Sequence, residues 1–333
     1  MYKVVILGST GSLGRQVLEV LENYKNEFRV IGISAYKKEK LLKKQSKKHK
    51  VPARNTVIVS KESPKNLEKL AAAEDADIVI NVLSGISGIN STISALKAGK
   101  ILILGNKESL VAEGQKIMKL AGKTLIPLDS EHNAIFEILK KFPKKIPEKI
   151  ILPCSGGPFL GKNKNQLKKI TASEAINHPK WEMGEKISIE SATLINKGLE
   201  IIEAHYLFNL PLKKIDVIIH PECLIHGIVR FKNESYAYIS EPDMREHIEN
   251  ALFHAVNKKT PGQKKIKHLN TKKFTLSAPD YKTLPGIKIV IENYKRSPDS
   301  MKHFLQKEEQ TIQKFLNDKI SFIEIFESLQ PAS

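Results

Sequence analysis

Cysteine is nearly absent from this 333-residue chain: only Cys154 and Cys223 occur, in no C-x-x-C pair and beside no His-rich segment. That scarcity excludes a disulfide framework and a cysteine-based zinc site, and it fits a reducing, cytoplasmic setting. Long apolar runs are missing as well. No stretch approaches the roughly 20 residues of a membrane-spanning helix, and the chain opens on the strand-like Tyr2–Leu7 without a signal or transit pattern. A soluble protein with no membrane partner is therefore expected. Arginine is scarce too: of 54 basic residues only six are arginine, at 15, 29, 54, 230, 245 and 296. A net charge of +18 would suit a nucleic-acid partner. The lysines, however, are scattered along the chain rather than gathered in a stripe with interleaved aromatics, so they read as a solvated surface and no nucleic acid is expected.

What is present is enough apolar residue, 41%, to give two or three domains a core each. Residues 2–7 form a β-branched run, followed by glycines at 8, 11 and 14 and an amphipathic stretch from Gln16 to Leu21. Further strand candidates lie at 29–34, 56–59, 76–81, 101–104 and 124–128, alternating with helical stretches, which predicts a parallel, doubly wound α/β sheet. The Pro- and Lys-rich segment 140–149 marks a boundary. Strand-like runs then crowd together at 149–152, 216–220, 227–231 and 236–239, the last two reading as an antiparallel hairpin. From Pro285 to Leu329 the apolar spacing turns helical. The expected division is a Rossmann-like domain over 1–145, an α+β catalytic and dimerisation domain over 146–280, and a small helical region over 281–333.

Glycines at 8, 11 and 14 between strand and helix suit a pyrophosphate resting on a helix N-terminus, though a plain glycine turn is the alternative. After the second strand, Lys37 and Lys38 stand where an acidic residue would receive the ribose of NAD, which favours the 2′-phosphate of NADP unless they merely share the chain-wide lysine bias. Asp129 and Glu131 lie where strand 124–128 meets a helix. There two carboxylates can converge on a hard cation, or Asp129 can simply cap the helix. Asn196, Lys197 and Glu200 share one helical face, either as a salt-bridged stripe or as phosphate donors and a third metal ligand. Ser155 sits in a glycine turn able to approach a phosphate, or in an ordinary turn. The only tryptophan, Trp181, lies with Met183 and Gly184 in a polar stretch that suits a lid over substrate.

These segments, in this order, resemble the 1-deoxy-D-xylulose 5-phosphate reductoisomerase family. The stretches that carry the resemblance are GSTGSLG (8–14), GNKESLV (105–111), LDSEHNAIFE (128–137), SGGPF (155–159), HPKWEMGEKISIESATLINKGLEIIEA (178–204), HPECLIHGIVRF (220–231) and PDMR (242–245). The resemblance implies NADPH held by Thr10, Gly11, Ser12 and Leu13, with Lys37 and Lys38 near the 2′-phosphate and Asn106, Glu108 and Gly184 completing the site. It implies Asp129, Glu131 and Glu200 as ligands of Mg²⁺ or Mn²⁺, and Ser155, Ser191, Asn196 and Lys197 around the substrate phosphate. His178, Lys107 and Ser130 would also line the pocket, with Lys107 joining the carboxylates as catalytic. The implied activity is a metal-dependent rearrangement followed by NADPH reduction to 2-C-methyl-D-erythritol 4-phosphate, in the non-mevalonate route to isoprenoids, by a homodimer. Departures from the family pattern are Glu190 where Asp usually precedes Ser-Ala-Thr, Cys154 beside the phosphate serine, a shorter region between 40 and 75, and a C-terminus that stops early at Ser333. The alternatives are another Rossmann reductase of the homoserine dehydrogenase type, which would not need the three carboxylates, and a degenerate nucleotide-binding relative without turnover.

Overall fold

The computed structural model describes residues 1–181, 183–269 and 274–331. Strands and helices first alternate: β1 (Tyr2–Leu7), α1 (Ser12–Asn23), β2 (Phe28–Ala35), α2 (Glu39–His49), β3 (Thr56–Ile58) and α3 (Pro64–Ala71). The alternation continues through β4 (Ile78–Asn81), α4 (Ile89–Lys97), β5 (Ile101–Leu104), α5 (Lys107–Ala121), β6 (Leu125–Pro127) and α6 (Ser130–Lys141). Then come β7 (Lys149–Cys154), the short α7 (Lys164–Leu167) and α8 (Ala172–Ile176), and α9 (Glu185–Ala192) and α10 (Ile195–Phe208). The chain proceeds with β8 (Ile215–Ile219), β9 (Ile225–Arg230), β10 (Ser235–Ile239), α11 (Met244–Ala255) and β11 (Ile266–His268). It ends in α12 (Gly286–Arg296), α13 (Met301–Leu316) and α14 (Phe322–Leu329).

Two compact units result: Met1–Asn133 with Asp243–Gly262, and Ala134–Pro242 with Gln263–Ser333. In the first unit the sheet runs β3-β2-β1-β4-β5-β6, all parallel. This is the doubly wound order, with its switch point between β1 and β4, where ligands of such sheets bind. Val4, Val5, Ile6 and Leu7 are fully buried because helices cover both faces of a parallel sheet, so the strand needs no polar alternation. Helix α11 returns late in the sequence to pack on α1, β5 and β6.

In the second unit the sheet is mixed, β11-β10-β9-β7-β8, with β7 and β8 parallel and the other pairs antiparallel. The anticipated hairpin is β9–β10, with Tyr236 opposite Val229. Strand β11 is a finding that the short stretch Ile266-Lys267-His268 did not announce; it extends the sheet from β10. Helix α12 packs on α10, and α13 packs on α9 and α14. The junction of α9 and α10 turns at Leu194, a buried leucine in the left-handed region at φ 59°. A Cβ on Gly286 would lie 2.1 Å from the Thr193 carbonyl oxygen and 2.7 Å from the Ile195 nitrogen, so only glycine lets α12 start against this turn. Among the described residues no helix is long and apolar enough to cross a membrane. The α/β fold with an α+β part and a C-terminal helical region is thus the one the sequence predicts.

Candidate active site

At the switch point, Gly8 leaves β1 at φ 94°, and a Cβ there would stand 2.9 Å from the Val82 carbonyl oxygen. Thr10 is buried, while Gly11 caps α1 and Ser12 and Leu13 open its first turn. The loop is tied to β2 as well, because the Ser34 hydroxyl accepts from the Gly8 amide at 3.1 Å and Ser9 donates to the Ser34 carbonyl. Lys37 and Lys38 follow β2 on the surface, and the Lys37 ammonium lies 5.1 Å from the Tyr36 ring centre. Two exposed cations at this position suit a phosphate more than a ribose hydroxyl.

Beyond β4, the loop 83–85 is built by two of the residues expected to bind cofactor. The Asn106 amide donates to the Leu83 and Gly85 carbonyls at 3.0 and 2.9 Å. Glu108 accepts from the Gly85 amide at 2.7 Å and from Asn106 at 2.9 Å. Both side chains are buried, so they shape the loop that faces the switch point.

The strand end after β6 carries the carboxylates. Lys107, 7% exposed at its side chain, pairs with Asp129 at 2.6 Å. Ser130 hydrogen-bonds Glu131 at the first turn of α6. This end is braced from behind: the Asn133 amide donates to the Pro127 carbonyl at 3.1 Å, and its oxygen takes hydrogen bonds from His247 at 3.1 Å and Asn250 at 3.3 Å on α11. An all-oxygen carboxylate pair at a sheet's carboxyl edge is a donor set for a hard divalent cation.

The second unit brings together the residues expected at the phosphate. Gly157, at φ 72°, lets the Ser155 turn lie against the end of α9, since a Cβ there would be 2.9 Å from the Ser191 carbonyl oxygen. Lys197, buried on α10, donates to the Pro153 carbonyl at 2.8 Å and pairs with the buried Glu200, to which Asn196 also donates. The helical face carrying Asn196, Lys197 and Glu200 is thus no solvated stripe. His178 fixes Ser155: its Nε2 lies 3.0 Å from the hydroxyl, while its Nδ1 accepts from the Lys180 and Trp181 amides at 3.2 and 3.0 Å. With Nδ1 occupied as an acceptor, the neutral ring carries its proton on Nε2 and donates it to Ser155. Burial pushes the imidazole down to about 4 and so favours this neutral form at physiological pH. The pair is therefore no serine–histidine nucleophile of the hydrolase kind, because the ring has no lone pair left to take the hydroxyl proton. Ser155 also accepts from the Gly157 amide at 3.0 Å, which leaves its own hydrogen to donate. Trp181 is half-buried, its ring centre 6.4 Å from that of His226, Met183 is half-buried, and Gly184 caps α9.

The sequence and the fold both match known proteins. Family models match in three blocks: 1-deoxy-D-xylulose 5-phosphate reductoisomerase over residues 4–69 and 53–114, its C-terminal domain over 125–208, and a further DXP reductoisomerase C-terminal domain over 239–332. The 1-deoxy-D-xylulose 5-phosphate reductoisomerase of Thermoanaerobacter pseudethanolicus is 39% identical over 351 residues, covering 99% of this chain and 91% of the relative. The chain belongs to the 1-deoxy-D-xylulose 5-phosphate reductoisomerase family. Among solved reductoisomerases, one in complex with NADPH, fosmidomycin and magnesium matches at TM-score 0.86 and 30% identity, covering 99% of this chain and 88% of its own. That of Zymomonas mobilis in complex with NADPH matches at 0.83 and 31%, covering 100% and 94%. Membership of the reductoisomerase family sets aside the homoserine dehydrogenase alternative.

For this reductoisomerase chain, the sequence reading missed Gln45. Buried on α2, its amide donates to the Ser9 carbonyl at 2.9 Å and its oxygen accepts from the Ser9 hydroxyl at 2.8 Å. Helix α2 follows directly on Lys37 and Lys38, so Gln45 couples that segment to the glycine loop. Replacing it by leucine removes two buried hydrogen bonds, each worth about 1 kcal/mol net. Gln45→Leu is expected to weaken NADPH binding about tenfold in a fluorescence titration; unchanged affinity would show that the loop holds its shape without it.

Proposed function

We propose that this chain converts 1-deoxy-D-xylulose 5-phosphate to 2-C-methyl-D-erythritol 4-phosphate, using NADPH and Mg²⁺ or Mn²⁺. The observation that carries the reading is the buried Lys197–Glu200 pair beside Asn196, tied through the Pro153 carbonyl to the Ser155 turn. It sets a carboxylate for a metal next to donors for a phosphate.

In this reading Asp129, Glu131 and Glu200 hold the metal, which when bound polarises the adjacent carbonyl and hydroxyl of the substrate and favours skeletal rearrangement. The loop Thr10–Leu13, with Lys37 and Lys38 for the 2′-phosphate and Asn106, Glu108 and Gly184 nearby, would hold NADPH, which would supply the hydride for the reduction. Ser155, Ser191, Asn196 and Lys197 anchor the phosphate, and His178 orients Ser155 toward it. Lys107 and Ser130 add a fixed positive charge and a hydroxyl at the strand end, where substrate oxygens gain negative charge. Anchoring the phosphate away from the reacting carbons provides binding energy for orientation and for closing Trp181 and Met183 over the substrate. The same reading gives a cytoplasmic homodimer, which sedimentation at micromolar concentration tests.

The deciding assay mixes the protein with 1-deoxy-D-xylulose 5-phosphate, NADPH and Mg²⁺ or Mn²⁺ and follows loss of the reduced nicotinamide absorbance. Oxidation that a chelator stops and added metal restores supports the reading. A folded protein that binds NADPH yet stays silent with both metals points instead to a relative without turnover.

A further inference from the structure

Helix α13 buries a carboxyl group that the reaction does not use. Glu308 is fully buried, and its Oε2 lies 3.1 Å from the Lys186 ammonium. Lys186, 14% exposed at its side chain, also pairs with Glu190 on α9, itself 4% exposed at its side chain. One cation therefore serves two buried carboxyls. If both were ionised the cluster would carry a net negative charge out of contact with water, which like-charge repulsion and desolvation both oppose. A proton retained on Glu308 makes the cluster neutral. Consistent with that count, burial first and then the Glu190 charge push the Glu308 carboxyl well above the ordinary carboxylate range, against the pull of Lys186. The groups acting on its charge are thus Lys186 and Glu190, both from α9.

The position of this cluster gives it a consequence. Glu190 immediately precedes Ser191, whose carbonyl faces Gly157 in the Ser155 turn. We propose that Glu308 is a positioning residue for the phosphate end of the substrate: as a neutral carboxyl packed against Glu190 and Lys186, it locks α9 to α13 and keeps the ground behind Ser191 electrically neutral. The inference rests on the reading that Ser155 and Ser191 hold the phosphate. It gives the C-terminal helices a part in substrate binding.

The sign of the pH effect follows. A carboxyl held above its unfolded value contributes its stabilisation fully below that value and loses it as pH rises through the folded one. Loss of the Glu308 proton leaves an uncompensated buried negative charge behind the proposed phosphate site, so KM for substrate rises with pH while kcat moves less. The test measures KM, kcat and Tm as pH rises from 7 into the alkaline range, where the substrate phosphate stays dianionic, for the wild type, Glu308→Gln, Glu308→Ala and Ser191→Ala. We expect wild-type KM to rise about fivefold as Glu308 loses its proton, Glu308→Gln to flatten the rise because its amide is always neutral, and Glu308→Ala to raise KM about tenfold throughout. A Glu308→Gln profile identical to the wild type, with Ser191→Ala raising KM, overturns the lock and leaves the phosphate site standing. Unchanged KM in Ser191→Ala overturns the phosphate site and the lock with it. Should Glu308→Ala fail to fold, Glu308→Gln alone still decides.

Discussion

Glu200→Gln is expected to lower kcat/KM at least a thousandfold with saturating NADPH, equivalent to about 4 kcal/mol of transition-state stabilisation. The substitution keeps the shape of the side chain but exchanges an anionic oxygen for an amide, which is a poor ligand for a hard cation. It also leaves Lys197, 3% exposed at its side chain, facing a neutral group in place of a carboxylate. Removing one partner of a buried ion pair destabilises strongly, so a fall in Tm is expected alongside the kinetic loss. NADPH affinity separates the two effects, because the glycine loop is built entirely within the other unit. Binding of NADPH within about twofold of the wild type, with Mn²⁺ affinity reduced at least tenfold by electron paramagnetic titration, places the loss at the metal. Wild-type turnover in Glu200→Gln would remove Glu200 from the ligand set and with it the strongest link between this chain's geometry and its proposed chemistry.

How far such a site can be read from sequence depends on whether a residue's role is local. The glycine loop, the lysines after β2 and the carboxylates after β6 are legible because each sits at a strand–helix junction, where the period change announces the position. The face of Asn196, Lys197 and Glu200 is legible as a face, yet its burial is not, since charges at helical spacing ordinarily point to water. Gln45 is hidden for the same reason: in Glu39–His49 it is one polar residue among lysines, and only the packing of α2 on the glycine loop turns it inward. Glu308 is hidden beside Glu309 in a helix that reads as solvated, although its register places it with Phe304, Leu305 and Ile312 on the buried side. Leu194 gives no signal at all, because a leucine in the left-handed region is held there only by its surroundings. The return of Asp243–Gly262 to the first unit is equally silent in the sequence. No division by chain order can express that His247 and Asn250 brace the strand end from a segment 110 residues downstream.

The cofactor end offers the second large effect. Gly14 lies on the inner side of α1, where an added Cβ would stand 2.2 Å from the Gly8 carbonyl oxygen and 2.7 Å from the Ser9 Cα. Both contacts are backbone, and neither partner can yield independently: Gly8 is pinned by Ser34 and Ser9 by Gln45. Gly14→Ala must therefore move α1 off the loop or deform the loop itself. Overpacking of this kind costs about 1–3 kcal/mol in stability. The loop is also the proposed pyrophosphate seat, and displacing its amides removes hydrogen bonds that cannot be regained from a shifted backbone. We expect NADPH affinity to fall at least a hundredfold, about 2.7 kcal/mol, together with a measurable drop in Tm. Gly11→Ala is the control for stability: its Cβ would meet only the Gly8 carbonyl oxygen at 3.4 Å, an ordinary contact, and its φ of −70° suits any residue. Its Tm should match the wild type. If Gly14→Ala binds NADPH and melts as the wild type does, the close approach of α1 to the loop is not what shapes the cofactor site, and the loop owes its form to Ser34 and Gln45 alone.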